Sequence, residues 1–324
     1  MLRFVTTRSH SYTALPLRRL FGRSKVAVWH YDRLFRAASL PAGTWIFADH
    51  ERLDPYELRL AAEAARLLRA GNARVLNDPA RVRCRVDLLQ ALHRAGINRF
   101  SAWRADEAQR PDRFPVFIRA EGDHLLPYSG LLHNQHELDA QLEALKASGT
   151  PLRGLAVITQ AAQEIRPGQW RKCATFRVGD RVFAHHQVVD YRWIVKTGDA
   201  KRLKKEPALA ALIAEERAFV RDNPHADLLA HAFEVAGIAF GRADFGLVDG
   251  VPQIYEINTN PVLGLSEDAG VPMRDETLRM ARERLLAAIG ALIGPDAGTV
   301  AMDSPLLKPH QGWRGWLVRS RFRP

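Results

Sequence analysis

The segment YEINTNP, residues 255–261, carries Glu256, Asn258 and Asn260 at every second position and stops on Pro261. Side chains two apart in an extended chain share one face, so this strand offers oxygen where most strands bury carbon. Just upstream, IAFGRADFGLVDG (238–250) puts Asp244 and Gly246 on one face and Phe245 and Leu247 on the other. A three-residue turn with a bulge at Gly250 sets residue 248 opposite 252 and Asp244 opposite Glu256, with Asn258 further along the same face. Phe245, Leu247, Tyr255 and Ile257 then pack into the core behind them. Like charges opposed across a sheet destabilise it unless something neutralises them. A hard divalent cation does so: magnesium takes oxygen ligands, commonly one or two carboxylates plus substrate phosphate oxygens, and Asn258 adds a neutral one. The same positions also fit an edge hairpin whose acids simply face water.

The elements that position this hairpin follow from periodicity. KVAVWHY (25–31) and TWIFAD (44–49) read as strands, and Pro55 to Ala70 as a helix that Gly71 ends. A turn at NDP (77–79) precedes a helix over 80–95, stopped by Gly96. Strands at 114–120 and 154–160 flank a helix over 135–147. KCATFRVGDRVFAHHQVV (172–189) has the pattern of a hairpin turning at Gly179-Asp180. Helices near 207–222 and 225–236, the strands 239–248 and 252–258, and a helix near 275–293 complete the series. Strands alternating with helices, plus two hairpins, predict an α+β (mixed α/β) fold.

An acid in RADFG, a short hairpin and then YEINTNP resemble the metal-binding signature of the ATP-grasp superfamily. From about Asn77 to Ile293 the chain is most similar to the ribosomal-protein glutamate ligases and related carboxylate–amine ligases. The resemblance implies two α+β subdomains that grip ATP, preceded by a small α/β domain. It also implies magnesium (with manganese as the alternative ion) and an acyl phosphate captured by an amine. The implied division is a basic extension (1–24), a small α/β domain (25–76), two subdomains (77–160 and 161–295) and a basic aromatic tail (296–324).

Carried onto this sequence, the family's two phosphate-contacting lysines fall at Arg85, eleven residues before Gly96, and at Arg119 in FPVFIRAEGDH. AVITQAAQEI matches the strand and connector that hold adenine, implicating Gln160, Ala161 and Ala162, with Glu164 for the ribose. VVDYRWIVKTGD places Arg192 and Lys196 toward the phosphates or the acyl group. Asp244, Glu256 and Asn258 match the metal ligands. Arginine keeps the charge and can fork onto phosphate, yet is not interchangeable with lysine. AEGDHLLPYSGLL after Arg119 has fewer glycines than the family's covering loop, leaving Gly122 and Gly130 as hinges. Without the resemblance, Arg85 reads as an exposed helix arginine, Arg119 as a satisfied strand arginine and Lys196 as a solvated linker residue.

Composition bounds the partners. The net charge of +11 comes from two ends: residues 1–25 hold six basic residues and no acid, residues 304–324 five and none, and the 36 remaining basic residues match 36 acids. A general polyanion-binding surface is therefore not indicated. The N-terminal run lacks the apolar core of a secretory signal and reads as a solvated or partner-binding extension. In the C-terminal run, Trp313, Trp316 and Phe322 alternate with arginines, a pattern for stacking on bases, for an anionic surface or for packing on the protein's own body. No stretch of about 18 apolar residues spans a membrane, and two cysteines, Cys84 and Cys173, make no disulfide framework. A reducing cytoplasm is the expected compartment. The H-x-x-H of His133 and His136 and the adjacent His185 and His186 lack acidic or thiol partners at ligand spacing.

The expected function is ATP- and magnesium-dependent joining of a small-molecule or peptide carboxylate to an amine. Its rival is an ATP-binding module with little or no turnover, acting as sensor or scaffold through basic tails that meet an anionic partner. The oligomeric state is not written in the sequence.

Overall fold

The computed structural model describes residues 1–107, 110–122, 125–196, 198–265 and 271–311. Three sheets and a two-stranded ribbon organise them. The first sheet is parallel, ordered β2-β1-β4-β5, from β1 (Leu2–Thr6), β2 (Val26–His30), β4 (Thr44–Phe47) and β5 (Arg74–Leu76). Helices α1 (Leu15–Phe21), α2 (Tyr31–Arg36) and α3 (Pro55–Ala70) cover it. The bounds of α3 are local chemistry: the Asp54 carboxylate accepts from the Glu57 N–H, Pro55 needs no partner at the first turn, and Gly71 ends it.

One sequence expectation fails here. Residues 1–24 are not a solvated extension, because β1 is buried throughout and lies between β2 and β4. Arg3 can sit there, 3% exposed, because Asp296 meets its guanidinium at 2.6 and 2.9 Å. The segment that carries Asp296 also returns to this unit. Its β14 (Thr299–Ala301) pairs with β3 (Ser39–Pro41), and His310 meets the Tyr56 hydroxyl at 2.8 Å. Trp313, Trp316 and Phe322 lie outside the described residues.

The second sheet, β6-β8-β7, is antiparallel and joins β6 (Ala102–Arg104), β8 (Leu155–Thr159) and β7 (Val116–Ala120). One face packs on α4 (Arg85–Arg94), the other on α5 (Gln135–Ala147). The helix expected from residue 80 starts later, since Pro79–Arg81 form a single 3-10 turn capped by Asp78 before α4. Asn134 caps α5 through the Glu137 N–H while Glu137 reaches back to the His133 N–H, satisfying two end donors at once.

The third sheet is ordered β11-β10-β12-β13: β10 (Gln169–Val178), β11 (Arg181–Asp190), β12 (Phe240–Val248) and β13 (Val251–Asn258), with β9 (Glu164–Arg166) beside β10. Past the short α6 (Ala200–Leu203), helices α7 (Leu209–Asp222), α8 (Ala226–Ala236) and α9 (Asp275–Gly290) pack behind it around Phe219, Phe233, Phe245 and Ile254. Buried aromatic side chains like these contribute about 2–3 kcal/mol each. A second cluster, with Leu2, Phe4, Phe176, Phe240 and Leu285, fuses the first sheet to the third. Asn77 locks the seam: its amide donates to the carbonyls of Phe47 (3.0 Å) and Phe240 (2.8 Å) and accepts from the N–H groups of Ala239 and Phe240 (2.9 Å each).

Candidate active site

The β12–β13 hairpin sets Asp244 opposite Glu256, with Arg242 opposite Asn258. The turn is shorter than the sequence suggests. Val248 pairs with Val251 across Asp249-Gly250, whose φ angles are +51° and +75°, the left-handed pair of a tight two-residue turn. The extra residue sits deeper, at a bulge between Asp244/Glu256 and Phe245/Ile254 that leaves Tyr255 unpaired. Turn and bulge together restore the Asp244–Glu256 pairing, but they reverse Tyr255. Its ring lies across Gly246, on the carboxylate face, with Cζ 2.9 Å from where a methyl on Gly246 would stand. Tyr255 therefore does not pack behind the hairpin. It faces the second sheet and meets Phe100 at 6.4 Å between ring centroids. Burial raises its phenol pKa.

Tyr255 thus floors a cleft between the second and third sheets, about 740 Å³ including its mouth, within the range of small-molecule sites. One end is apolar: Phe117, Ile158, Trp193, Ile194 and Tyr255 surround the connector Gln160–Ala162. There the Gln160 side chain donates to the Ala162 carbonyl (2.8 Å) and the Gln160 N–H to the Pro115 carbonyl (2.9 Å). Among the described residues no group accepts from the Ala162 N–H. The other end is charged, lined by Arg119, Lys172, Lys196, Asp244 and Glu256. Strand parity explains Arg119: Val116 and Ile118 turn toward α5, leaving Phe117 and Arg119 for the cleft. Lys196 donates to the Leu125 carbonyl at 3.1 Å across the mouth. Its pKa is lowered by burial and then by Arg119, while Glu256 pulls it upward.

Seven residues singled out in the sequence share this cleft: Arg119, Gln160, Ala161, Ala162, Lys196, Asp244 and Glu256. Arg85, neither exposed nor on a solvent face, reaches from the first turn of α4 to Glu256 (2.8 Å) and the Ala120 carbonyl (3.1 Å). It stands in a neighbouring cavity with Asn258, whose amide donates to Glu256 Oε1 at 3.2 Å. Arg192 and Glu164 are not brought in. Arg192 is 71% exposed beside Asp190, and Glu164 is exposed on β9, accepting from the Gly168 N–H.

Asp244 does not face water either; it is 2% exposed. Two residues that the sequence reading passed over hold it. Arg242 forks onto both oxygens (2.7 and 3.0 Å), and Lys172 approaches Oδ2 at 3.1 Å. Arg242 stood in plain view in RADFG, two residues before Asp244 and so on its face; Lys172 gave no local signal, its partner lying 72 residues on. Among the described residues no group of three or more His, Cys, Asp or Glu could hold a metal ion. By type, two opposed carboxylates and an adjacent amide suit a hard divalent cation. By charge, Arg85, Arg242 and Lys172 already neutralise both acids, so an ion fits this wall only together with the negative charge of a polyphosphate. Cys84 offers no nucleophile, because burial, then its hydrogen bonds to Asp87 and Glu121, push its thiol up to about 12.

No protein-family model matches the chain, and no curated protein matches it. Among solved structures it is similar to a D-alanine–D-alanine ligase from Bacillus anthracis complexed with ATP, at 11% identity and TM-score 0.46 over 88% of this chain and 98% of that one. A RimK domain protein ATP-grasp from Sphaerobacter thermophilus matches at 14% and 0.47 over 91% and 99%. The ATP-grasp ligase PsnB, complexed with minimal precursor, Mg and ADP, matches at 12% and 0.46 over 87% and 98%. These values lie below those at which a likeness carries a shared activity. No helix among the described residues is long and apolar enough to cross a membrane.

Proposed function

We propose that this chain is an ATP-dependent ligase that joins a carboxylate to an amine through an acyl phosphate. The observation that supports it is the polarity of the cleft: an apolar, aromatic-floored slot beside a connector whose Ala162 N–H no described residue accepts from, running into a wall of cations and opposed carboxylates. That gradient matches a nucleotide, planar at one end and polyanionic at the other. In this reading the Ala162 N–H and the Gln160 carbonyl would read a base edge. Arg85, Arg119 and Lys196 set positive charge where phosphates would lie, and Asp244, Glu256 and Asn258 supply the oxygens that would hold Mg²⁺. Bound there, the ion supplies charge neutralisation on the phosphates.

The chain's own part is positioning and electrostatics. The γ-phosphoryl passes from ATP to a substrate carboxylate oxygen, ADP leaving with the bonding electron pair, and the amine then displaces phosphate from the acyl group and gives up a proton. The Arg85–Glu256 pair fixes both side chains between the sheets, so neither has to reorganise as charge shifts. The test is ADP release with pooled amino acids and small carboxylates, with and without Mg²⁺. Glu256→Gln should lower the rate on the order of 10³-fold; unchanged ADP release would refute the assignment.

A second reading is a nucleotide-binding module without turnover. The observation favouring it is that arginine occupies both expected lysine positions while cations already engage both carboxylates. Thermal stabilisation by ATP with no ADP formed from any acid–amine pair would select it.

A further inference from the structure

We propose that Lys172 is a further residue of the nucleotide site, the one whose ammonium contacts the phosphoryl group in transfer; this rests on the ATP-dependent reading above. Ala174 pairs directly with Asp244, so Lys172, two residues earlier on β10, projects from the same face into the cleft. Its side chain is 14% exposed and its Nζ lies 3.1 Å from Asp244 Oδ2. That contact is more than Asp244 requires, since Arg242 already makes a two-pronged bond to the carboxylate. A second cation drawn into such a site loses hydration, and the carboxylate alone does not compensate both.

An ammonium has three donors. Among the described residues Lys172 makes one hydrogen bond, leaving two donors on the cleft side of Asp244. Arg85, by contrast, is immobilised between Glu256 and the Ala120 carbonyl. A compact charge on a flexible stem can follow a group that moves, where a clamped guanidinium cannot. With arginine at 85 and 119, Lys172 is a half-buried lysine on the carboxylate wall itself. During transfer the bond from the γ-phosphorus to the ADP oxygen breaks, its electron pair leaving with ADP, as the bond to the substrate carboxylate oxygen forms. Lys172 takes no part in bond making or breaking and supplies only charge and donors.

The test is equilibrium binding of ADP and of a non-hydrolysable imido analogue of ATP, both with Mg²⁺, to the full chain and to Lys172→Met, Lys172→Gln and Lys172→Arg. The intact protein should prefer the triphosphate. Lys172→Met should lose about tenfold or more of that preference while its ADP affinity stays within about threefold, and Lys172→Arg should recover part of it. Should the methionine variant fold poorly, as judged by thermal unfolding, the glutamine variant gives the same reading. An unchanged preference would overturn the proposal, as would a parallel loss for both nucleotides, which is what a residue that merely steadies Asp244 would show. An intact protein that binds neither nucleotide would overturn the ATP-dependent reading itself, and this proposal with it.

Discussion

The β12–β13 hairpin and the residues that leave it solve the burial of polar groups in opposite ways. At the cleft, Asp244 and Glu256 are balanced by full charges from Arg242, Lys172 and Arg85. A few residues on, Thr259 and Asn260 enter a seam closed almost entirely by hydrogen bonds. Asn260 donates to Asp49 Oδ1 (2.8 Å) and accepts from the Thr13 hydroxyl; the Thr259 hydroxyl accepts from the Asp49 N–H (3.0 Å). Asp49 also takes the Thr7 N–H (3.0 Å) and hydroxyl (2.8 Å). So YEINTNP has two jobs. Its first half presents oxygen to a cleft, and its second half bolts the hairpin to the first sheet. The seam has its partners in place, whereas the cleft wall concentrates charge that a polyanion can engage.

The largest expected effect breaks that comparison on the charged side. Asp244→Asn strands Arg242 and Lys172 without their acid and should cost about 4 kcal/mol of stability, read by urea unfolding. Inorganic triphosphate should restore part of the loss, since it brings back negative charge. On the seam, Asn77→Ala should cost about 3 kcal/mol, because it orphans buried backbone groups and leaves alanine at a φ of +60°. No triphosphate should repair that variant. If it did, the two regions would not be the distinct devices described here.

A smaller effect tests how the wall is shaped. Gly246→Ala drives a methyl into the Tyr255 ring and should cost about 2 kcal/mol while weakening nucleotide binding at the cleft floor. Among the described residues the Tyr255 hydroxyl has no hydrogen-bond partner, so Tyr255→Phe should stay within about 0.5 kcal/mol of the parent. Together the pair separates the shape of the ring from its polarity.

What the sequence made legible was whatever is decided locally. Pro55 and Gly71 bound α3 without help from the rest of the chain, and Gly179-Asp180 turn the β10–β11 hairpin as their types suggest. The Asp244–Glu256 pairing was also readable, although by a different route: a three-residue turn and a two-residue turn plus a bulge give the same net register there. They differ only on where Tyr255 points, which no local pattern states. Lys172 escaped notice because its partner is supplied by tertiary structure. Apart from the family resemblance, Arg85 reads as a surface helix residue for the same reason, since its partner Glu256 lies across the fold on β13.

β1 is the clearest case of that limit, and it carries the smallest prediction. Arginine-rich and free of acid, the first residues look solvated, yet Asp296 supplies the missing charge from nearly the whole chain away. Hydrogen bonds from Arg3, working against partial burial, hold the Asp296 carboxyl down to about 2. A carboxyl whose pKa is lowered on folding stabilises the native state above its unfolded value near 4, and that contribution fades as pH falls toward 2. Asp296 is 31% exposed, so solvent discounts the gain to about 1 kcal/mol. Asp296→Asn should therefore lower Tm by a few degrees at pH 7, by less at pH 3, and hardly at all at pH 2. A gap between parent and variant that persists at pH 2 would mean that something other than this charge pair seats the first strand.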